Sequence, residues 1–503
     1  MDLTFATTSL PQLDADVLAV LIEDGATLPD SLADLDGHLG GALTRELARG
    51  LVKPNAPSIV SVTGGAAGPR RIALVGFGPE ADGRGDAIRV AGSRIAGVAR
   101  ASESASIAVV APGSDEDAAA LVEGIVIGGF RTHHYRTSTV ASDEASDDDA
   151  TPRYEGPTTL TVIGEGDSLE DAVRRAQIGA AAQNWARDLS NAPANHLMPV
   201  DLAAEAKALA DAHDHLSFRE LHRDGIEAIG AGMFAAVAQG SADEPRLIVL
   251  EWNPPTATEP NDERLALVGK AVVFDTGGIS IKPSGGMEGM KLDKSGGCAI
   301  LGAMRAIAEL GVERRVIAVV GATTNMPDGN AYRPGDVVTA MDGTTVEIIS
   351  TDAEGRLVLG DLITYVKGQG CGAIVEASTL TGAMVVALGH RYAGAVARPG
   401  KLQDAVVAAG TRTGDLAWPL PIHDEYKAGL KTDCADLKNS GGRDGGGLAA
   451  GAFLQHFAKD TPFVHLDVAG AAMLPKPRAF YGTKGASGWG VRLLADLAAS
   501  WRP

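Results

Sequence analysis

A chain of 503 residues with 45% apolar side chains can bury two sizeable cores, and with aromatics at only 4% those cores must be built from Ala, Val, Leu and Ile. A formal net charge of −20 repels phosphate, which excludes a sequence-independent nucleic-acid binder, so no nucleic-acid partner is expected. No apolar run reaches membrane-spanning length, so no membrane partner is expected either. Met1-Asp2-Leu3-Thr4 has neither the basic start nor the apolar core of a secretory leader. Cys298, Cys371 and Cys434 lie far apart without CxxC or CxH spacing and read as reduced thiols, so a cytoplasmic location is expected.

In chain order, strand-like runs at 17–22, 58–62, 71–75, 106–110 and 158–163 alternate with helical patterns at 86–100 and 116–127, which predicts an α/β layer. Gly76-Phe77-Gly78 follows a strand but lacks the third glycine of a dinucleotide loop, position 81 being Ala, and reads as a turn. His133 and His134 are adjacent, so a strand would send them to opposite faces, and surface or packing roles are expected. The acidic run 142–149 reads as a solvated loop near the end of a first domain, residues 1–165. A long helix over 169–188 leads into a second domain, 166–503, with a Pro- and Asn-rich connector at 191–199. There, strands are predicted at 247–252, 265–268, 272–274, 315–320, 373–376 and 462–465, with helices at 297–310, 357–367 and 448–459. Several strands are continuous apolar runs, the mark of burial on both faces. The predicted fold is α/β: a smaller N-terminal α/β domain and a larger C-terminal one, whose mixed central sheet is flanked by helices and would gather ligands at the carboxyl ends of its strands.

The chemistry concentrates in that second domain. Asp352 and Glu354 follow an apolar run and are two residues apart, so an extended backbone sends both to one side. Paired carboxylates repel unless a cation lies between them, and Gly355 lets the backbone approach such a guest while Arg356 adds a permanent positive charge. Asp275 closes a second apolar strand. Lys270 stands five residues earlier, so a bulge is needed to bring both to one site. Lys282 follows, and then Asp293, whose place before a helix also suits an N-cap. Four carboxylates, Asp275, Asp293, Asp352 and Glu354, formally balance two divalent cations. Without an HExxH pattern, these hard oxygen donors suit Mn, Mg or Zn, and a two-metal centre can activate water and polarise a carbonyl. No GxSxG nucleophile motif competes with this reading.

These residues resemble the leucyl aminopeptidase family of dinuclear metallopeptidases. Its diagnostic segment Asn-Thr-Asp-Ala-Glu-Gly-Arg-Leu is matched by residues 350–357, with Ser350 in place of Asn. Further matching blocks are Gly269-Lys270, residues 274–283, Asn325-Met326-Pro327, Arg333-Pro334-Gly335-Asp336, residues 379–383 and residues 484–488. The likeness covers roughly residues 185–495, and the first 165 residues share only the layout. It implies that Lys270, Asp275, Asp293, Asp352 and Glu354 bind two metals, Mn or Zn. Asp275 and Glu354 would bridge, Lys270 and Asp293 would serve one ion, and Asp352 the other. It also implies Lys282 and Arg356 as the catalytic pair, with bicarbonate held by Arg356 and the backbone of Gly355 and Leu380 as general base.

The implied reaction releases the N-terminal residue, leucine and other apolar residues preferred, from short peptides through a metal-bridging hydroxide. The implied assembly is a homohexamer. Met290, Thr379, Gly382 and the small residues 469–472 are the candidate pocket for the first side chain. Lys294 stands where many relatives have Met, and Trp489 where Phe or Tyr is frequent. The rivals are a dinuclear phosphoesterase, disfavoured by the lysine ligand, and a non-catalytic binding or regulatory homologue of the same fold, disfavoured by the complete set of ligands.

Overall fold

The computed structural model describes residues 1–502 other than 24–26, 54–57, 66–67, 77, 79, 81–82, 133–134, 136–138, 141–150, 153 and 261–262. Phe77, the two adjacent histidines and the acidic run 142–149 therefore lie outside the described residues. The chain divides into two compact units, Met1–Ala181 with Lys476–Lys484, and Ala182–Pro475 with Gly485–Pro503.

In the first unit the strands Asp2–Ala6 (β1), Val17–Leu21 (β2), Ser58–Thr63 (β3), Arg71–Gly76 (β4), Ser106–Val110 (β5) and Thr159–Ile163 (β6) form one sheet in the order β1-β6-β5-β2-β4-β3. All neighbours are parallel except β3 and β4. Helices Arg84–Ala101 (α1) and Asp115–Gly129 (α2) pack against each other. Ser114 caps α2 by accepting from Asp117 N, and three acids in the first turn complement the helix dipole. The expected division between 165 and 166 falls just ahead of helix Asp167–Asn191 (α3), and the two units part within that helix.

The second unit is built on eight strands: Leu216–Leu221 (β7), Arg246–Trp252 (β8), Leu265–Asp275 (β9), Val316–Asn325 (β10), Ala373–Ser378 (β11), Ala393–Ala397 (β12), Ala417–Pro421 (β13) and Phe463–Asp467 (β14). Their order is β13-β12-β14-β11-β9-β10-β8-β7. The central four, β14, β11, β9 and β10, are mutually parallel, and antiparallel partners adjoin them on both sides. Burial on both faces explains why these central strands read as unbroken apolar runs. Helices Ser295–Glu309 (α4) and Val491–Ser500 (α8) contribute to the core on one face. Gly355–Gly368 (α5) and Gly446–Ala458 (α7) close the other, and Lys401–Thr413 (α6) joins β12 to β13. Because the central strands run together, Asp275, Asn325, Ser378 and Asp467 all reach the same carboxyl edge.

A candidate metal centre at the carboxyl edge of the sheet

The strand that carries both Lys270 and Asp275 is one element, β9, and it contains the required irregularity. Val272 pairs with Thr323 and Asp275 with Asn325, so β9 holds one residue more than its partner between the two rungs. The bulge re-aims the strand end, and Lys270 and Asp275 both line a single cavity of about 750 Å³. Asp293, Lys282, Asp352, Glu354 and Arg356 line it too. Asp293 arrives on the 3-10 helix Met287–Lys294 and does not cap α4, because its Oδ1 accepts from Thr379 Oγ1 at 2.7 Å. Asp352 and Glu354 come from the turn that leads into α5.

Asp275, Asp293 and Glu354, all buried, offer carboxylate oxygens within 4.8 Å of one another, a group able to hold a metal ion. Asp352 is not one of the three; it is more exposed and pairs with Lys282. Lys270 Nζ stands 2.7 Å from Asp293 Oδ2 and 2.7 Å from Glu354 Oε1. Lys282 Nζ is 2.7 Å from Asp275 Oδ2. Asp275 Oδ1 accepts from Gly277 N and from Asn325 Nδ2, each at 2.9 Å.

The electrostatics follow from burial. Burial alone would lower the Lys270 amine, but Asp293, Glu354 and Asp275 hold it well above the usual lysine range. Lys282 follows the same pattern, with burial opposed by Asp275 and Glu354. Burial raises the carboxyls of Asp293, Glu354 and Asp352, and Asp275 adds to the rise in each. Burial lowers the Arg356 guanidinium to about 10, against the pull of Glu354 and Asp467. The site therefore holds several mutually repelling carboxylates, balanced by two lysines. Such a donor set is hard and oxygen-rich and suits divalent cations. The cradle is also tight: a Cβ on Gly355 would meet Lys270 Nζ at 2.7 Å, and one on Gly277 would meet Asp352 Oδ1 at 2.8 Å.

Met290, Thr379, Leu380 and Gly382 also line the cavity, but of the run 469–472 only Ala469 does. Thr379 buttresses Asp293. Three supporting residues had no role assigned from the sequence, Asn325 having entered only within a matching block. Asn325 holds Asp275 and donates to Thr351 O at 3.0 Å. Asn439 accepts from Ile349 N at 2.8 Å and donates to Ser350 O at 2.7 Å, fixing the turn before Asp352. Asp467 accepts from Thr381 Oγ1 at 2.6 Å and from Leu380 N at 3.3 Å. The available signal was that Asn325 and Asp467 are polar residues closing apolar strands at the carboxyl edge.

Comparison with known proteins fits this geometry. The profile described as "Cytosol aminopeptidase family, catalytic domain" matches residues 184–495, and "Cytosol aminopeptidase family, N-terminal domain" matches 18–139. The chain belongs to the cytosol aminopeptidase family. Its activity is thus that of an aminopeptidase, a hydrolase, which sets the phosphoesterase and non-catalytic alternatives aside. A "Probable cytosol aminopeptidase" from Solibacter usitatus is 42% identical, with 100% of both chains covered. One from Alkaliphilus oremlandii is 37% identical over 98% of each chain. Among solved structures, a tomato leucine aminopeptidase mutant matches with a TM-score of 0.86 at 30% identity, covering 99% of this chain and 96% of its own. The bottromycin maturation enzyme BotP in complex with Mn matches with a TM-score of 0.82 at 32% identity, covering 97% and 99%. This cytosol aminopeptidase has the expected α/β architecture, and no helix among its described residues is long and apolar enough to cross a membrane.

Proposed function

We propose that this cytosol aminopeptidase uses two divalent cations, manganese or zinc, to remove the N-terminal residue from short peptides, apolar residues preferred. The observation that carries the reading is the convergence of three buried carboxylates within 4.8 Å beside two lysines, in a chain of this family. Lys270, Asp275, Asp293, Asp352 and Glu354 would hold the ions, and the manganese in the BotP structure favours Mn. When bound, such a pair lowers the pKa of water toward neutrality, polarises a carbonyl and offers the free substrate amine a partner.

The chain's own groups then act on the reaction. The partly buried Lys282 ammonium lies beside Asp275 and Asp352 in the cavity wall, where its charge stabilises the developing oxyanion. Arg356, with the backbone of Gly355 and Leu380, would hold bicarbonate as the general base. Met287, Met290 and Met473 give the cavity flexible apolar walls, and with Ala469 and Gly382 they suit an apolar first side chain. Thr379 acts through Asp293. Residues 166–503 are read as the catalytic domain and 1–165 as a distinct N-terminal domain, in a cytoplasmic homohexamer. The test is hydrolysis of leucine p-nitroanilide by the purified chain before and after chelation. Loss of activity with EDTA and recovery with Mn or Zn supports the reading; full turnover in excess chelator refutes it.

A further inference from the structure

Beneath the cavity floor the sheet carries a polar inlay. Strands β11 and β14 are parallel, with Glu376 level with His465 and Ser378 level with Asp467. Two residue pairs below Glu376 and His465, and so on the same face, Ile374 and Phe463 belong to the apolar core closed by α5 and α7. All four polar side chains are buried. The His465 ring donates from Nδ1 to Glu376 Oε2, but its Nε2 is 3.9 Å from Asp467 Oδ2, too far for a direct hydrogen bond.

Four polar atoms here have no hydrogen-bond partner among the described residues: His465 Nε2, Glu376 Oε1, Ser378 Oγ and Arg356 Nε. A buried polar contact longer than a hydrogen bond, among unsatisfied donors and acceptors, is the setting in which proteins hold internal water. The charges alternate as well. The groups that act on His465 are Glu376 and Asp467, which favour its cation against burial, and Arg356, which opposes it. Asp467 in turn accepts from Leu380 N, Thr381 Oγ1 and Ala469 N, so it fixes the Leu380–Thr381 backbone, which lines the same cavity as Arg356.

We propose that His465, Asp467, Ser378 and Arg356 enclose an internal water site, and that His465, clamped by Glu376, is a positioning residue which sets the Leu380–Thr381 backbone and Arg356 for bicarbonate. The proposal rests on the assignment of bicarbonate to Arg356 and Leu380. His465 touches neither substrate nor metal; it acts through the water and Asp467.

Two experiments on the full-length holoenzyme decide it. A high-resolution crystal structure should show a water within hydrogen-bond distance of His465 Nε2 and Asp467 Oδ2. A direct Nε2–Asp467 hydrogen bond with no water would overturn the site. The variants His465→Gln and Ser378→Ala should keep the wild-type metal content while the bicarbonate concentration for half-maximal stimulation rises about 10-fold, the usual scale for residues that orient ligands. Saturating bicarbonate should restore most of kcat. A purely structural role would lower Tm and kcat and leave that half-saturation unchanged, and an unchanged value in Ser378→Ala, the milder variant, counts against the proposal. A wild-type enzyme indifferent to bicarbonate would instead refute the anion assignment and with it the positioning role, whereas the crystallographic water would still decide the site.

Discussion

Replacing Gly355 by alanine adds one methyl at the most crowded point of the centre. The glycine begins α5 in ordinary helical backbone, so alanine brings no strain and gains about 0.5–1 kcal/mol of helix propensity. Its Cβ, however, would stand 2.7 Å from Lys270 Nζ, 2.8 Å from Lys270 Cδ and 2.9 Å from Leu380 Cδ1. Ordinary contact begins at 3.4 Å, so Nζ must retreat by about 0.7 Å, the difference of 3.4 and 2.7. A lysine end is usually free to move, but this one is pinned at 2.7 Å by both Asp293 and Glu354. Overpacking of this kind costs about 1–3 kcal/mol, leaving a net loss of roughly 0–2.5 kcal/mol after the propensity gain. Metal ligation tolerates only about 0.2 Å, so the larger effect falls on the ions. Gly355→Ala should fold, lose at most a few degrees in Tm, and bind Mn or Zn about 10–100-fold more weakly. Titration of the apo-protein with metal, followed calorimetrically, reads this directly. Wild-type metal affinity in a folded Gly355→Ala would refute Lys270 as a ligand.

Lys282→Ala should keep its metals but lose roughly 100–1,000-fold in kcat, the cost of one oxyanion donor; a mutant that only raises KM would reduce Lys282 to a substrate contact. Arg356→Ala should turn over more slowly and no longer respond to added bicarbonate, measured in carbonate-depleted buffer; a wild-type rate unchanged by rigorous depletion would point to a different base. The assembly is expected to be a hexamer that loosens at low ionic strength, because each chain carries a formal charge of −20 that salt screens. Light scattering across a salt series checks it, and a monomeric, fully active species at every salt concentration would rule the hexamer out.

The parts of this molecule that announced themselves did so through local pattern. β9, β10, β11 and β14 are buried on both faces, so their apolar runs stood out, and Asp275 and Glu354 closed or followed such runs. The need for a bulge between Lys270 and Asp275 was legible because a period of two places residues five apart on opposite faces. What was not legible depends on other kinds of information. β12 reads Ala-Gly-Ala-Val-Ala, too small in its side chains to signal a strand, and β13 carries two prolines, tolerated because it lies at the sheet edge. The short stretch Lys476–Lys484 groups with the first unit, an assignment set by contacts distant in sequence. Asp293 matched an N-cap in sequence, yet the helix start is set by the 3-10 turn before it, and its carboxylate is taken by Thr379 from a strand end 86 residues away. Asn325 and Asn439 support the site through contacts distant in sequence, which no local window contains.

The central claim is that these carboxylates hold two divalent ions, and anomalous scattering tests it most directly. Data collected on crystals of the active enzyme above and below the Mn and Zn edges should show two peaks, both within coordination distance of Asp275 and Glu354, one also beside Lys270 and Asp293 and the other beside Asp352. Crystals of an enzyme with full activity that show no anomalous peak among these residues would contradict the account.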